Sequence, residues 1–233
     1  MTGVQTCALP ISDTTSARSA HERILERFRT KRVPILLGTQ MVTKGLDFEN
    51  VTLVGILNAD LSLYADDFRA AERTFSLITQ VVGRAGRGER RGRAVLQTYS
   101  PHHPVLNLAA RQDYDGFYEN EIGLRRATGA PPFSDYLVFT VFGGEELRVL
   151  KACTGLAACF RRAQGEREEY GSIRLLGPAP AGVAKVNNLY RYRVTLCGRF
   201  DRAMRELVGR LLITFRQDSR NRETNISVDL NPD

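Results

Sequence analysis

Two short segments hold the residues best suited to phosphate chemistry. One reads Gly38-Thr39-Gln40-Met41-Val42-Thr43-Lys44-Gly45-Leu46-Asp47-Phe48, the other Gln80-Val81-Val82-Gly83-Arg84-Ala85-Gly86-Arg87-Gly88. Gly38, Thr39 and Gly45 suit close approach of backbone to phosphate, because a loop without bulky side chains can turn amide and hydroxyl donors onto an oxyanion. Arginine suits the complementary task. Its planar, permanently charged fork can stabilise charge spreading over a transferring phosphoryl group, an effect worth about 10³ to 10⁵ in rate. Lysine would replace it poorly. A Gly-Arg-x-Gly-Arg run alone is only moderately specific, since arginine and glycine repeats are common in nucleic-acid binders, and a helix C-terminus favours cations on dipole grounds alone. The two segments together, in this order, say more than either.

Such residues need a scaffold, and the flanking patterns predict one. Ser19 and Glu22 have the spacing of a capping box, and His21, Ile24, Leu25 and Phe28 lie on one face of a helix running to about Thr30. Pro34 precedes the apolar run Ile35-Leu36-Leu37, and residues 51–57 form a second run rich in β-branched residues. Both suit strands of a parallel sheet buried on two faces. Asp66 and Asp67 can start a helix in which Phe68, Ala71, Phe75, Ile78 and Val82 recur at steps of three and four, with Gly83, Gly86 and Gly88 ending it. A strand over residues 94–99 follows. The first chemical segment thus falls on a loop after a strand and the second at a helix end, within an α/β layer.

After Pro101 the organisation changes. Pro104 opens a helical stretch to about Thr128, and Ala130-Pro131-Pro132 stops it. Beyond it the patterns predict a strand over 136–142, a helix over 145–164, strands over 173–176 and 190–196, a helix over 201–215 and a strand over 225–230. That order, β-α-β-β-α-β, is the split ferredoxin-like motif of a smaller α+β domain. The expected organisation is a leader over 1–12, an α/β domain over 13–100, a helical connector over 101–131 and an α+β domain over 132–233. Residues 1–12 show no periodicity and are expected to be a translated adaptor or a disordered arm, so that Met1 is no natural start and the protein extends upstream.

Hydrophobic residues are 42% and charged residues 25% of the 233, the balance of a folded, soluble chain. The net charge of +7 and a pI near 9.5 favour an anionic partner, nucleic acid first, although evenly spread arginine gives the same total. Cys7, Cys153, Cys159 and Cys197 form no Cys-x-x-Cys pair, and His21, His102 and His103 complete no ligand set, so no metal site is expected. The cysteines after the leader are expected to be reduced, small and mostly buried. No apolar run is long enough to span a bilayer and no secretory leader is present, which points to the cytoplasm.

The two segments resemble motifs V and VI of superfamily 2 helicases. Val54-Gly55-Ile56-Leu57-Asn58-Ala59-Asp60 and Asp67-Phe68-Arg69-Ala70-Ala71-Glu72-Arg73, lying between them, narrow the resemblance to the PriA family of primosomal replication-restart helicases. It continues through Leu96-Gln97-Thr98, His103-Pro104, Pro131-Pro132, Gly177-Pro178-Ala179-Pro180 and Tyr190-Arg191-Tyr192, and covers the chain from about Asp13 to its end. Asp229-Leu230-Asn231-Pro232 is a small departure from the family's acidic final strand.

The resemblance implies a RecA-like second helicase lobe over 13–100, followed by the connector and the α+β domain. It implies an ATP-driven 3′ to 5′ DNA translocase that unwinds lagging-strand arms at stalled forks and helps assemble the primosome. Arg84 and Arg87 would be the catalytic γ-phosphate-sensing and finger residues. Gln80 would contact the nucleotide or couple it to DNA, with Gly45 on the nucleotide side and Asp47 facing the ribose or a neighbouring arginine. Gly38, Thr39 and Gln40 would contact DNA, and Lys44 either joins them or is a surface charge. In the last domain Lys185, Arg191, Arg193, Arg199, Arg202 and Arg205 gather around one hairpin and the next helix. Arg191 and Arg193 are candidates for DNA. Arg202 and Arg205, about a helical turn apart, would suit the acidic tail of single-stranded-DNA-binding protein. Tyr190 and Tyr192 suit either base stacking or the sheet core.

ATP and magnesium would be held mainly by a first lobe lying upstream, so the chain alone is expected not to hydrolyse ATP. The family's zinc would also lie upstream. Forked and single-stranded DNA, single-stranded-DNA-binding protein and other primosome proteins are the implied partners. Two alternatives stand beside this: the second lobe of another superfamily 2 repair helicase, which would lack the α+β tail, and a non-catalytic basic nucleic-acid-binding module, which leaves the two paired motifs unexplained.

Overall fold

The computed structural model describes residues 7–8, 25–30, 35–38, 51–83 and 92–232. The chain divides into two compact units, Met1–Tyr64 with Ala71–Phe117, and Ala65–Ala70 with Tyr118–Asp233.

The N-terminal unit contains two parallel strand pairs. Strand β1 (Cys7–Ala8) pairs with β2 (Ile35–Leu36), and β3 (Leu53–Ile56) pairs with β4 (Arg93–Leu96). Residues 7 and 8 fall inside the expected leader, and a strand of two residues is too short for any alternation to announce it. Residues 25–29 form helix α1, and residues 19–24 of the helix expected there lie outside the described residues. A short helix that sequence patterning did not predict, α2 (Asp60–Leu63), follows β3, and α3 (Ala70–Val82) comes next. On α3, Phe75 and Ile78 pack with Leu63, Val105, Leu106 and Phe117, and the Phe75 and Phe117 rings stack at 4.2 Å.

Three expectations are corrected here. Helix α3 starts at Ala70, because the Asp67 carboxylate accepts the Arg69 N–H at 2.8 Å and turns the chain before the helix can begin; Phe68 lies ahead of the helix. The helical stretch over 104–128 is two helices, α4 (Pro104–Ala110) and α5 (Tyr114–Thr128), separated by Gln112 at φ 57° and by Asp113, whose carboxylate accepts the Gly116 N–H. The β3–β4 pair is not covered on both faces: Ile56 and Leu96 pack inward, whereas Leu53 and Val95 are 62% and 52% exposed.

In the C-terminal unit the elements are β5 (Asp135–Gly143), α6 (Glu146–Glu166), β6 (Arg174–Val186), β7 (Leu189–Gly198), α7 (Arg202–Gln217) and β8 (Thr224–Leu230). The strands form one antiparallel sheet in the order β6-β7-β5-β8. Phe139 of β5 stands between Val194 of β7 and Val228 of β8, and the alternate residues Leu137 and Val141 share its face. Helices α6 and α7 supply Val149, Cys153, Leu156 and Phe160, and Met204, Leu207, Leu211 and Phe215, at helical steps of three and four to the core that this face belongs to. Asp201 caps α7 by accepting the Met204 N–H at 3.0 Å. Strand β6 runs ten residues past its expected end at 176, because register shifts let Ala179 and Pro180, and later Lys185, resume pairing with β7. Cys153, Cys159 and Cys197 are free, and burial pushes the Cys153 thiol up to about 12, so it stays protonated. Among the described residues no helix is long and apolar enough to cross a membrane.

Two glycines of this unit should respond to alanine with opposite signs. Gly177 sits at φ 95°, and an added Cβ would meet the Arg193 carbonyl oxygen at 2.7 Å. Gly155 lies inside α6 with nothing near the place a Cβ would take. In denaturant unfolding, Gly177→Ala should cost about 2 kcal/mol or more, whereas Gly155→Ala should add about 0.5–1 kcal/mol. Equal effects of one sign would contradict this packing.

Candidate functional site

The candidate chemistry lies at the ends of β2 and α3 in the N-terminal unit. Residues 39–50 and 84–91 lie outside the described residues, so Thr39, Gln40, Lys44, Gly45, Asp47, Arg84 and Arg87 carry no structural statement. Gly38 and Gln80 are described. Gly38 is exposed, two residues beyond the end of β2. Gln80 is exposed near the end of α3, two residues from Ile78, which is 1% exposed; two residues are about 200° of helical rotation, so Gln80 faces away from the core. Thr74, also 1% exposed, donates its hydroxyl to Ser62 at 2.8 Å. The Gly83 N–H closes the last turn of α3 on the Thr79 carbonyl at 2.9 Å.

A second feature at the strand ends, Asp60, was quoted in sequence only as part of the family pattern. The chain leaves β3 through Asn58 at φ 53° and starts α2 at Asp60, whose carboxylate accepts the Thr98 hydroxyl at 3.0 Å and the Tyr99 N–H at 2.9 Å. With Ala59 donating to the Gln97 carbonyl at 3.0 Å, the exits of β3 and β4 are tied together. Burial works to raise the Asp60 pKa, but the Tyr99 N–H and the Thr98 and Ser100 hydroxyls outweigh it and hold the carboxyl below its usual range.

The basic residues of the C-terminal unit differ in their surroundings. Arg193 makes a short ion pair with Asp66, and only 28% of its side chain is exposed. Arg191 lies on the same strand face and is half-buried. Tyr190 and Tyr192 pack against the core, with the Tyr192 hydroxyl donating to Glu146 at 2.9 Å, so of the two roles open to them they take the sheet core. Lys185 lies over the Tyr190 ring, 4.4 Å from its centroid. On α7, Arg202 and Arg205 are exposed, and Arg202 pairs with Glu206 at 2.9 Å.

Comparison with known proteins gives the class first. Residues 8–89 match the family described as helicase conserved C-terminal domain, and residues 126–233 match the primosomal protein N C-terminal domain. The relatives are named replication restart protein PriA. The chain is 39% identical over 220 residues to the Bacillus subtilis protein, covering 94% of this chain and 27% of that one. It is 40% identical over 185 residues to the Treponema pallidum protein (79% and 27%) and 38% identical over 183 residues to the Synechocystis protein (78% and 21%). The chain belongs to the PriA family and corresponds to its C-terminal part. It spans about a quarter of the length of these relatives.

The Asp60 cluster makes a titration prediction. Because its folded pKa lies below the ordinary 3.8, its contribution to stability is complete above that value and is lost as pH falls through the folded pKa. Carboxyl carbon NMR should find the Asp60 midpoint depressed, and Thr98→Val should move it upward. An unmoved midpoint would remove Thr98 from the cluster.

Proposed function

We propose that the N-terminal unit is a RecA-like second helicase lobe, and that the protein works as an ATP-driven 3′ to 5′ DNA helicase in replication restart. The observation that supports this is that, within one α/β unit, Gly38 follows β2 and Gln80 stands exposed near the end of α3, each belonging to one of the two candidate segments. The membership of the chain in the PriA family supports the same conclusion. The β-α-β-β-α-β succession of the C-terminal unit is read as the split ferredoxin-like motif, which sets this chain apart from the second lobe of other superfamily 2 helicases.

In this account Arg84 and Arg87 meet the γ-phosphoryl group from the second lobe, spreading its developing charge over two guanidinium forks. Gln80, exposed on the same helix end, couples the nucleotide to the DNA track. Gly45 and Asp47 lie on the nucleotide side, and Gly38, Thr39, Gln40 and Lys44, with Arg191 and Arg193, contact DNA. Arg202 and Arg205 offer a basic helix face to an acidic peptide, for which the tail of single-stranded-DNA-binding protein is the proposed partner. Magnesium would screen the charge of the triphosphate. Among the described residues no cluster of three His, Cys, Asp or Glu side chains could hold a metal, and none is assigned as its ligand. None of the lysines, Lys31, Lys44, Lys151 and Lys185, follows a glycine as in a phosphate-binding Gly-Lys-Ser/Thr loop. We therefore assign these 233 residues half of an ATPase, working in the cytoplasm.

The purified 233-residue chain should show no DNA-stimulated ATP hydrolysis above background, and clear turnover would contradict the half-site assignment. In the full-length protein, Arg87→Ala should lower DNA-stimulated turnover by about 10³-fold or more while leaving nucleotide and forked-DNA affinity within a few-fold. Turnover within about tenfold of wild type would remove the finger role.

A further inference from the structure

From Gly171 to Phe200, the stretch that forms the β6–β7 hairpin, the chain carries five cations, Arg174, Lys185, Arg191, Arg193 and Arg199, and no carboxylate. Arg174 is engaged by the Thr128 carbonyl and Arg193 by Asp66. Among the described residues, Lys185 and Arg191 pair with no carboxylate. Glu145 and Glu146, which follow β5, and Glu223, which precedes β8, are already held, the first and third by Arg148 and the second by the Tyr192 hydroxyl.

The end of this hairpin is apolar as well as basic. Asn187 and Asn188 form its two-residue turn at φ 49° and 62°, the two positive values that a type I′ turn needs and that asparagine tolerates. Val186 and Leu189 face each other across the strands just before and after it. On β7, Tyr190, Tyr192 and Val194 turn to the core, so Leu189 and Arg191 share the opposite face, and Val186 lies on it as the cross-strand partner of Leu189. Residues 181–184 bulge from β6 opposite Arg191, between the pairs Pro180–Tyr192 and Lys185–Tyr190. Every residue from 182 to 189 is exposed, Val183 by 61% and Val186 and Leu189 by 38% each. Three aliphatic side chains thus stand in water around one half-buried arginine.

We propose that the tip of the β6–β7 hairpin caps the end of a DNA duplex at a branch, with Val186 and Leu189 against the uncovered face of the last base pair and Arg191 on a neighbouring phosphate. The partner of this patch must bring an anion and a flat apolar surface together, and a duplex end has both. Aliphatic side chains set beside asparagine and basic residues are the means by which proteins wedge against base steps. A stretch of thirty residues without a carboxylate suits the phosphate backbone that surrounds such an end. The proposal rests on the reading of Arg191 as a DNA contact, and adds to it a preference for branched over single-stranded DNA.

The test uses the full-length protein and compares the Kd for a forked DNA, the Kd for a single strand of the same length, and Tm. Val186→Thr combined with Leu189→Thr keeps strand-forming residues while removing apolar surface, and should raise the fork Kd by about tenfold with the single-strand Kd within about twofold of wild type. Arg191→Ala removes a phosphate contact that does not depend on base pairing, and should raise both constants by about fivefold. With Leu189→p-benzoylphenylalanine, irradiation of the fork complex should link the protein to nucleotides beside the branch point. Wild-type fork affinity in the threonine pair, or equal losses on fork and single strand, would overturn the proposal. So would crosslinks formed only within the protein, which would assign the patch to another part of the chain. Where the threonine pair lowers Tm, the crosslink decides alone. A silent threonine pair beside a weakened Arg191→Ala sinks only the capping role, whereas wild-type affinities in Arg191→Ala sink the DNA reading of Arg191 on which it rests.

Discussion

Helix α3 buries Thr74, Phe75, Ile78 and Val81 along one stripe, and the rest of the candidate machinery depends on that stripe staying down. Full burial of each large apolar side chain is worth roughly 1.5–3 kcal/mol, an upper figure because unfolded chains already shelter part of their surface. Turning the helix by half a revolution would bring Ile78 into water and press the polar end of Gln80 into the cluster formed by Leu63, Val105, Leu106 and Phe117. The helix therefore has one rotational setting. The Gly83 N–H on the Thr79 carbonyl closes its last turn.

The C-terminal unit uses its arginines largely on itself. Arg210 donates to the hydroxyl of the fully buried Tyr170 at 2.6 Å, Arg174 satisfies the Thr128 carbonyl at the end of α5 at 2.8 Å, and Arg125 and Arg193 hold the segment around Phe68. Each closes a hydrogen bond that a folded helix end, ring hydroxyl or carboxylate would otherwise lack. A net charge of +7 thus overstates the basic surface open to a partner. What stays exposed on this unit includes Arg202 and Arg205 at the start of α7.

Regular periodicity was legible and local chemistry was not. Helices α6 and α7 announce themselves because Val149, Cys153, Leu156 and Phe160, and Met204, Leu207, Leu211 and Phe215, repeat at steps of three and four. The break between α4 and α5 is invisible to the same test, because Gln112 at φ 57° and the Asp113–Gly116 bond are set by two residues and leave the apolar repeat intact. Phe68 fits the apolar repeat of α3 by spacing alone. It packs with Tyr136 instead, since Asp67 turns the chain first, and only the family resemblance marked it out. The tail of β6 reads as a loop from Gly177-Pro178-Ala179-Pro180, yet Ala179 pairs with Arg193 across a shift that sequence does not encode. For the candidate site, residue type and spacing pointed to Gly38 and Gln80 as parts of the two segments. The pull of Thr98 and Tyr99 on Asp60, across 38 and 39 residues, was beyond any local pattern.

The central claim is that α3 presents Arg84 and Arg87 to a triphosphate held mainly by other parts of the full-length protein. The most direct measurement is a structure of that protein trapped on forked DNA with ADP and aluminium fluoride, which imitates the phosphoryl group in flight. The account predicts at least one of the two guanidinium groups in hydrogen-bond contact with the fluoride, with α3 still seated on Phe75 and Ile78. Both guanidinium groups turned away from the nucleotide in that trapped state would contradict it.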